Sequence, residues 1–448
     1  MKKEQRLGEE KILSLLFKLS IPSLIGMLMG SMYNIIDSIY LGHYSTEALS
    51  ALSLAFPIQL VMISVAGGLG MASSSLISRL LGEGKDDRVK ETTETVVLMV
   101  VIYTIIVTFA GLFAHNLIGF FTSNPELVQM GGQYLQIVMM GSLTIVVPMV
   151  FNNFLRGYGD TVIPMYTMII GTVLNIIIDP FLIFGFFIFP ELGVAGAGYA
   201  TVFSRLASAV FVIAVLLRKG YYIKLKIFKP AKDILKDLSN VGVPAMAMML
   251  MGSVMLLGAN KIVASYSLVG IAVLGVYARL QSFILMPVMG ISQGFQPLLG
   301  YNFGNGNAKR VKKTIWSGVM VVLGFSILGF VAFWFFPGVL IRMFSNDPEL
   351  IRVGAVALKR ISIAFPFMGL SMIISTTFQA IGKGFPSLFI SILRQVIFLL
   401  PIMYLLARAY GLGVAWFAFP IAEALGFFVA GLWIAITVKG EVHKMSKT

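Results

Sequence analysis

Met27-Leu28-Met29-Gly30-Ser31 recurs as Met249-Leu250-Met251-Gly252-Ser253, 222 residues further along the chain. The same offset pairs Pro22 with Pro244, Gln59 with Gln281, and Gly84-x3-Arg88-Val89-Lys90 with Gly306-x3-Arg310-Val311-Lys312. One residue later in register, Phe121-x3-Pro125-Glu126-Leu127 matches Phe344-x3-Pro348-Glu349-Leu350. Near the end, Leu192-Gly193-Val194-Ala195 matches Leu412-Gly413-Val414-Ala415. A collinear repeat of this length makes the chain two copies of one unit.

Each copy contains six apolar runs long enough to cross a bilayer, which takes about 20 residues as a helix. They fall near 13–41, 48–78, 93–115, 132–156, 161–188, 193–217, 236–264, 270–300, 314–337, 353–381, 385–408 and 411–438. Six is even, so both copies insert the same way up. The expected fold is an all-α integral membrane protein of twelve transmembrane helices. They form two six-helix bundles related by a pseudo-two-fold axis along the membrane normal. The expected lobes are 1–220 and 236–448, joined by a basic linker at 221–235. Such halves can rock against each other around a central cleft to give alternating access.

Composition agrees. Of 448 residues, 58% are hydrophobic and 12% charged, and mean hydropathy is +0.90. That charged fraction is about half the roughly 25% of a soluble globular protein, which excludes a soluble enzyme and a disordered chain. The net charge of +14 does not point to nucleic acid, because it sits in short loops. With the N-terminus inside, 24 of the 34 Lys and Arg fall in inner loops and tails and four at outer edges (Lys261, Arg342, Arg352, Arg408). This asymmetry predicts a multi-pass protein of the cell (inner) membrane with both termini cytoplasmic. The first apolar run is too long for a signal-peptide core and is expected to stay as span 1.

Ionisable groups inside a membrane are costly, so each needs a reason. Three acids fall within spans: Asp37 in span 1, Asp179 in span 5 and Glu423 in span 12. Tyr33 and Asp37 share a helix face at i, i+4 spacing, as do Asn175 and Asp179. Order along the spans puts these four and Thr201 of span 6 at similar depth. Two carboxylates, an amide and a hydroxyl converging there suit a hard cation such as Na⁺, or a proton shared between acids that resist double ionisation. Pro180 removes a backbone hydrogen bond beside the cluster, so span 5 is expected to bend there. The second copy does not repeat the cluster: Asp37 maps to Ala259, Asp179 to about Leu400 and Thr201 to about Ile421. It carries Arg279, Gln281, Arg394 and Glu423 instead, and Arg394 and Glu423 are placed to pair. Ion coupling is therefore expected mainly in the first half. Methionines at 246, 248, 249, 251 and 255 suit a promiscuous apolar pocket, for which Met27, Tyr33, Met251, Met255 and Gln281 are candidate substrate contacts.

Other chemistries lack their residues. There is no cysteine, no P-loop, no H-E-x-x-H, and no histidine in mid-span for a catalytic dyad. No enzyme activity and no cofactor are expected.

Five motifs together resemble the MATE (multidrug and toxic compound extrusion) transporters over nearly the whole length. They are Tyr33-Asn34-x2-Asp37, Arg79-x2-Gly82-x-Gly84, Asn152-Asn153-x2-Arg156-x2-Gly159-Asp160, Asn175-x3-Asp179-Pro180 and Ala195-Gly196-Ala197-x2-Ala200-Thr201. The resemblance implies efflux of small-molecule organic cations driven by inward Na⁺ or H⁺. Its first-lobe cation site falls here on Asp37, Asn175, Asp179 and Thr201, with Tyr33 adjacent. NorM-like members carry acids in spans 7 and 10. Here span 7 has Asn260 and the interior of span 10 has none, which points to the DinF-like or MepA-like branches. A monomer in the lipid bilayer is expected, with no nucleic-acid partner. The competing reading is a flippase for lipids or lipid-linked oligosaccharides in the same superfamily. It would need a cationic cavity, for which Arg279, Lys359, Arg360 and Arg394 are the available charges.

Overall fold

A computed structural model describes residues 5–221 and 230–445. Every regular element among them is helical. Ten helices are long and apolar enough to cross a membrane, and two bent pairs complete the set of twelve. Span 4 is Pro125–Met140 plus Ser142–Gly157, bent by 54°, and span 10 is Pro348–Ser362 plus Phe365–Ala380, bent by 46°. The sequence reading had each as one run. The first break falls at Gly141, where any β-carbon would collide with Val202. The second falls at the repeat-related Ile363–Ala364, just before Pro366.

The remaining spans are Ile12–Tyr44 (span 1), Thr46–Gly82 (2), Asp86–Gly111 (3), Val162–Phe184 (5), Gly193–Arg218 (6), Lys232–Ala264 (7), Leu268–Gly304 (8), Ala308–Phe335 (9), Gly384–Tyr410 (11) and Leu412–Glu441 (12). Large apolar side chains such as Phe109, Leu328 and Phe428 are exposed along them, as suits helices bathed in hydrocarbon.

The repeat is visible in local chemistry. Ser45 accepts from the Ala48 amide to start span 2, and Ser267 accepts from the Gly270 amide to start span 8. Asn124 and Asp347 cap spans 4 and 10 in the same manner. Gly84 and Gly306 end spans 2 and 8 with φ of +68° and +66°, a conformation that side chains with a β-carbon resist.

The chain divides into two compact units, Pro22–Gly242 and the first 21 residues together with Val243 onward. This differs from lobes at 1–220 and 236–448. Much of the 221–235 linker, residues 222–229, lies outside the described residues. The start of span 1 belongs with the second repeat because its apolar face is buried there: Leu7, Ile12, Leu15, Leu16 and Leu19 join Ile291, Phe295, Leu298 and Leu299. The start of span 7 belongs with the first repeat, where Ile234, Leu238 and Val241 join Leu69, Leu76 and Leu80. The two placements are repeat-related. Gly294 lies against Leu19 and Ser20, while Gly242 lies against Gly68 and Ala72. Arg310 donates to the Leu7 and Glu10 carbonyls at 3.1 and 2.9 Å, and its repeat mate Arg88 pairs with Asp233. Pro22 and Pro244, paired by the same offset, stand beside the two crossovers.

Candidate functional site

Within the unit Pro22–Gly242, the expected polar cluster assembles deep among helices. Asp179 and Asn175 are fully buried, and Asp37, Thr201 and Tyr33 are buried as well. The i, i+4 spacing on span 5 lets the Asn175 amide donate to Asp179 Oδ1 at 3.0 Å. Span 5 continues through Pro180 to Phe184. Proline there leaves the carbonyl one turn earlier without its helical donor.

Span 6 can approach span 5 closely because Gly196 presents no β-carbon to the Leu182 carbonyl. One turn later along span 6, Thr201 reaches the Tyr33 hydroxyl on span 1, 2.8 Å away. The Asp37 and Asp179 carboxylates are close enough for their charges to interact, and Tyr33 feels both. Three buried oxygens at this place have no hydrogen-bond partner: Asp37 Oδ1, Asn175 Oδ1 and Asp179 Oδ2. Buried acceptors are rarely left so, and each is costly without a partner. The orphans are all hard oxygen acceptors, which fits Na⁺ or a proton as the occupant. Among the described residues no three His, Cys, Asp or Glu side chains converge, so a transition-metal site is not formed there.

Three neighbours were not assigned to the cluster from sequence. Gln59 of span 2 donates to Tyr134 of span 4 at 3.1 Å, and Tyr134 feels Tyr33, Asp37 and Asp179. The pairing of Gln59 with Gln281 in the repeat was the available signal. Arg205, one turn beyond Thr201, lies over the Tyr33 ring with its guanidinium carbon 4.8 Å from the centroid.

The substrate candidates do not form one cluster inside a unit. Met27 and Tyr33 belong to Pro22–Gly242, whereas Met251, Met255 and Gln281 belong to the other unit. Gln281 donates to the Met368 sulfur at 3.4 Å, and Met255 packs on that unit's buried core.

In the unit that contains Val243 onward, Ala259 stands where the repeat would put Asp37, and it is buried. Arg394 and Glu423 pair as the sequence led one to expect. Nη2 donates to Oε1 at 2.9 Å and Nε lies 2.8 Å from Oε2. The second contact is an ion pair without hydrogen-bond angles. Arg394 sits in a π-helical turn, Leu393–Phe398, that interrupts span 11, and Gly426 on span 12 leaves room for its stem. The pair thereby removes one of the four charges a cationic cavity would need. Arg360 removes another by binding the Gly413 carbonyl and stacking over Phe417 at 5.0 Å.

Comparison with known proteins gives a consistent result. The MatE family profile matches residues 22–181 and 244–405, beginning in each repeat at the paired prolines. The multidrug export protein MepA of Staphylococcus saprophyticus is 30% identical over 434 residues, covering 95% of this chain and 94% of the relative. The FAD transporter of Shewanella oneidensis is 28% identical over 435 residues, covering 95% of each. A MATE protein solved in its bent conformation superposes with a TM-score of 0.92 at 25% identity, covering 100% of this chain and 99% of the other.

Proposed function

The chain belongs to the MatE family, and from that premise we propose that it is a secondary active multidrug exporter. It expels cationic amphipathic compounds in exchange for H⁺ or Na⁺ by alternating access. The membership makes it a multi-pass membrane transporter and not an enzyme. The coupling ion, the charge of the cargo and the topology belong to the proposal.

One observation carries the reading. Asp37 Oδ1, Asn175 Oδ1 and Asp179 Oδ2 are buried together without partners. A Na⁺ would be held by these oxygens and the Thr201 hydroxyl, and a proton would neutralise one of the two acids. Either occupant relieves the repulsion between Asp37 and Asp179, so the two ions compete for one place. Occupancy changes how Asp179 pairs with Asn175. Because Pro180 has already freed the carbonyl one turn earlier, next to Asn175, span 5 is the element through which that change reaches the cargo.

The protein works as a monomer in the cell membrane with both termini cytoplasmic, as the Lys and Arg distribution supports. Met27, Tyr33, Met251, Met255 and Gln281 remain the candidate cargo contacts. Alanine at all five positions should weaken binding of several unrelated cations, and unchanged affinities would remove this assignment. The flippase reading loses ground because Arg394 and Arg360 are already engaged. The two named relatives differ in cargo at nearly equal identity, so the cargo must be read from the chain's own residues.

The test is transport of a fluorescent cation by the purified protein in proteoliposomes, with Na⁺ and pH gradients imposed separately. Uptake driven by one gradient and inhibited by the other ion is expected. Equal flux with and without gradients would overturn secondary transport.

A further inference from the structure

Arg205 lies near the middle of span 6. Twelve residues separate it from Gly193 and thirteen from Arg218, which at 1.5 Å per residue is about 18 Å and about 20 Å. An arginine side chain cannot snorkel to either membrane surface from there. A mid-membrane arginine ordinarily has a carboxylate partner, and Arg394 has one in Glu423. Arg205 differs. Among the described residues no carboxylate lies within ion-pair distance of it, and none accepts a hydrogen bond from it. Its guanidinium lies over the face of Tyr33, whose hydroxyl meets Thr201. It is half-buried. Gly171 on span 5 lets span 6 pack closely beside it: a β-carbon there would stand 2.5 Å from Ser208 Oγ and 3.7 Å from Arg205 Nη1.

A cation stacked on an aromatic face keeps its in-plane N–H donors free, and a guanidinium presents them in a fork matched to carboxylate or phosphate. Asp37 and Asp179 do not use that fork. We propose that Arg205 is an anion-recognition residue for cargo. An amphipathic compound that carries a carboxylate or phosphate beside its apolar body docks that group on the Arg205 guanidinium, beside Tyr33. This rests on the transport reading for its physiological meaning, while the docking itself is testable by binding alone.

Two dyes isolate the group. Rhodamine 6G is an ethyl ester and a permanent cation, and rhodamine 19 is its free acid. Binding of each to the purified protein in nanodiscs is followed by fluorescence anisotropy, for wild type, Arg205→Gln and Arg205→Lys. Arg205→Gln should weaken rhodamine 19 by about tenfold or more, the loss of one charge-assisted hydrogen bond, and leave rhodamine 6G within about twofold. Arg205→Lys should restore part of the rhodamine 19 affinity, since it keeps the charge and loses the fork. Equal weakening of both dyes, or no weakening of either, would overturn the assignment, as would failure of the wild type to bind rhodamine 19. Binding that follows this pattern without gradient-driven flux would instead count against the transport reading and leave the docking site standing.

Discussion

Each repeat holds one group of buried charge, and the two are finished differently. Around Asp37 and Asp179, three oxygens are buried without partners. Around Arg394 and Glu423, opposite charges face each other through two contacts at 2.8 and 2.9 Å. The first arrangement pairs like with like and leaves its acceptors open. The second sets opposite charges against each other, so they compensate, although Arg394 Nε and Glu423 Oε2 meet without hydrogen-bond angles. Asp37 and Asp179 lie on spans 1 and 5, whereas Arg394 and Glu423 lie on spans 11 and 12, and the difference lies in which partner each buried charge was given. Opposite charges that already compensate each other leave no net charge for a transported ion to neutralise, so the pair acts as structure. A cluster with orphaned acceptors stores a need that binding can meet.

The largest expected effect breaks the compensated pair. Glu423→Ala leaves the Arg394 charge buried and alone, and should cost about 3–5 kcal/mol of stability. It is read as a drop in the melting temperature of the detergent-solubilised protein. The double variant Glu423→Gln with Arg394→Met should recover most of that loss. If the single variant melts like wild type, the pair is not structural and the contrast fails.

The opposite sign is expected in the other cluster. Asp179→Asn removes one of two like charges, so in Na⁺-free buffer above neutral pH the variant should melt at or above the wild-type temperature. A lower melting point would mean that the cluster is a structural device after all.

A smaller effect sharpens the account of the site's edge. Thr201→Val deletes the hydroxyl that meets Tyr33 at 2.8 Å, a hydrogen bond worth about 0.5–1.5 kcal/mol. The concentration of coupling ion that gives half-maximal efflux should rise several-fold, with maximal efflux retained. No change would take Thr201 out of the site.

The smallest concerns the clasp at the start of span 1. Hydrogen bonds from Arg6 and Lys18 hold the Glu10 carboxyl below the usual glutamate range. A depressed carboxyl stabilises the fold above its unfolded pKa, and that contribution disappears as pH falls through the folded value. Glu10→Gln should therefore lower the melting temperature slightly at neutral pH and not at all in acid. Salt should shrink the difference, because the ion pairs are near the surface.

Much of this was legible in the sequence because membranes punish exceptions. An acid in an apolar run is visible at once, and i, i+4 spacing placed Tyr33 with Asp37 and Asn175 with Asp179 before any coordinates. The repeat offset also relates the caps at Ser45 and Ser267, which the sequence reading did not single out. Sequence reasoning did not see that residues before Pro22 and before Val243 change units. Their apolar faces at Leu15, Leu19, Leu238 and Val241 look the same whichever unit buries them. Nor did it see the break in span 4, which depends on Gly141 meeting Val202 from another helix. Arg205 was visible as a charge in a span, but its lack of a partner is a property of the packed helices, not of the chain order.

The central claim is that coupling resides in the first repeat, on Asp37 and Asp179. The most direct measurement compares gradient-driven efflux of a fluorescent cation in proteoliposomes for Asp37→Asn, Asp179→Asn and Glu423→Gln, at equal reconstituted protein and with monodispersity checked. Both aspartate variants should fall to the level of protein-free liposomes, and Glu423→Gln should keep most of the wild-type rate. Near-normal efflux in both aspartate variants, or loss confined to Glu423→Gln, would contradict it.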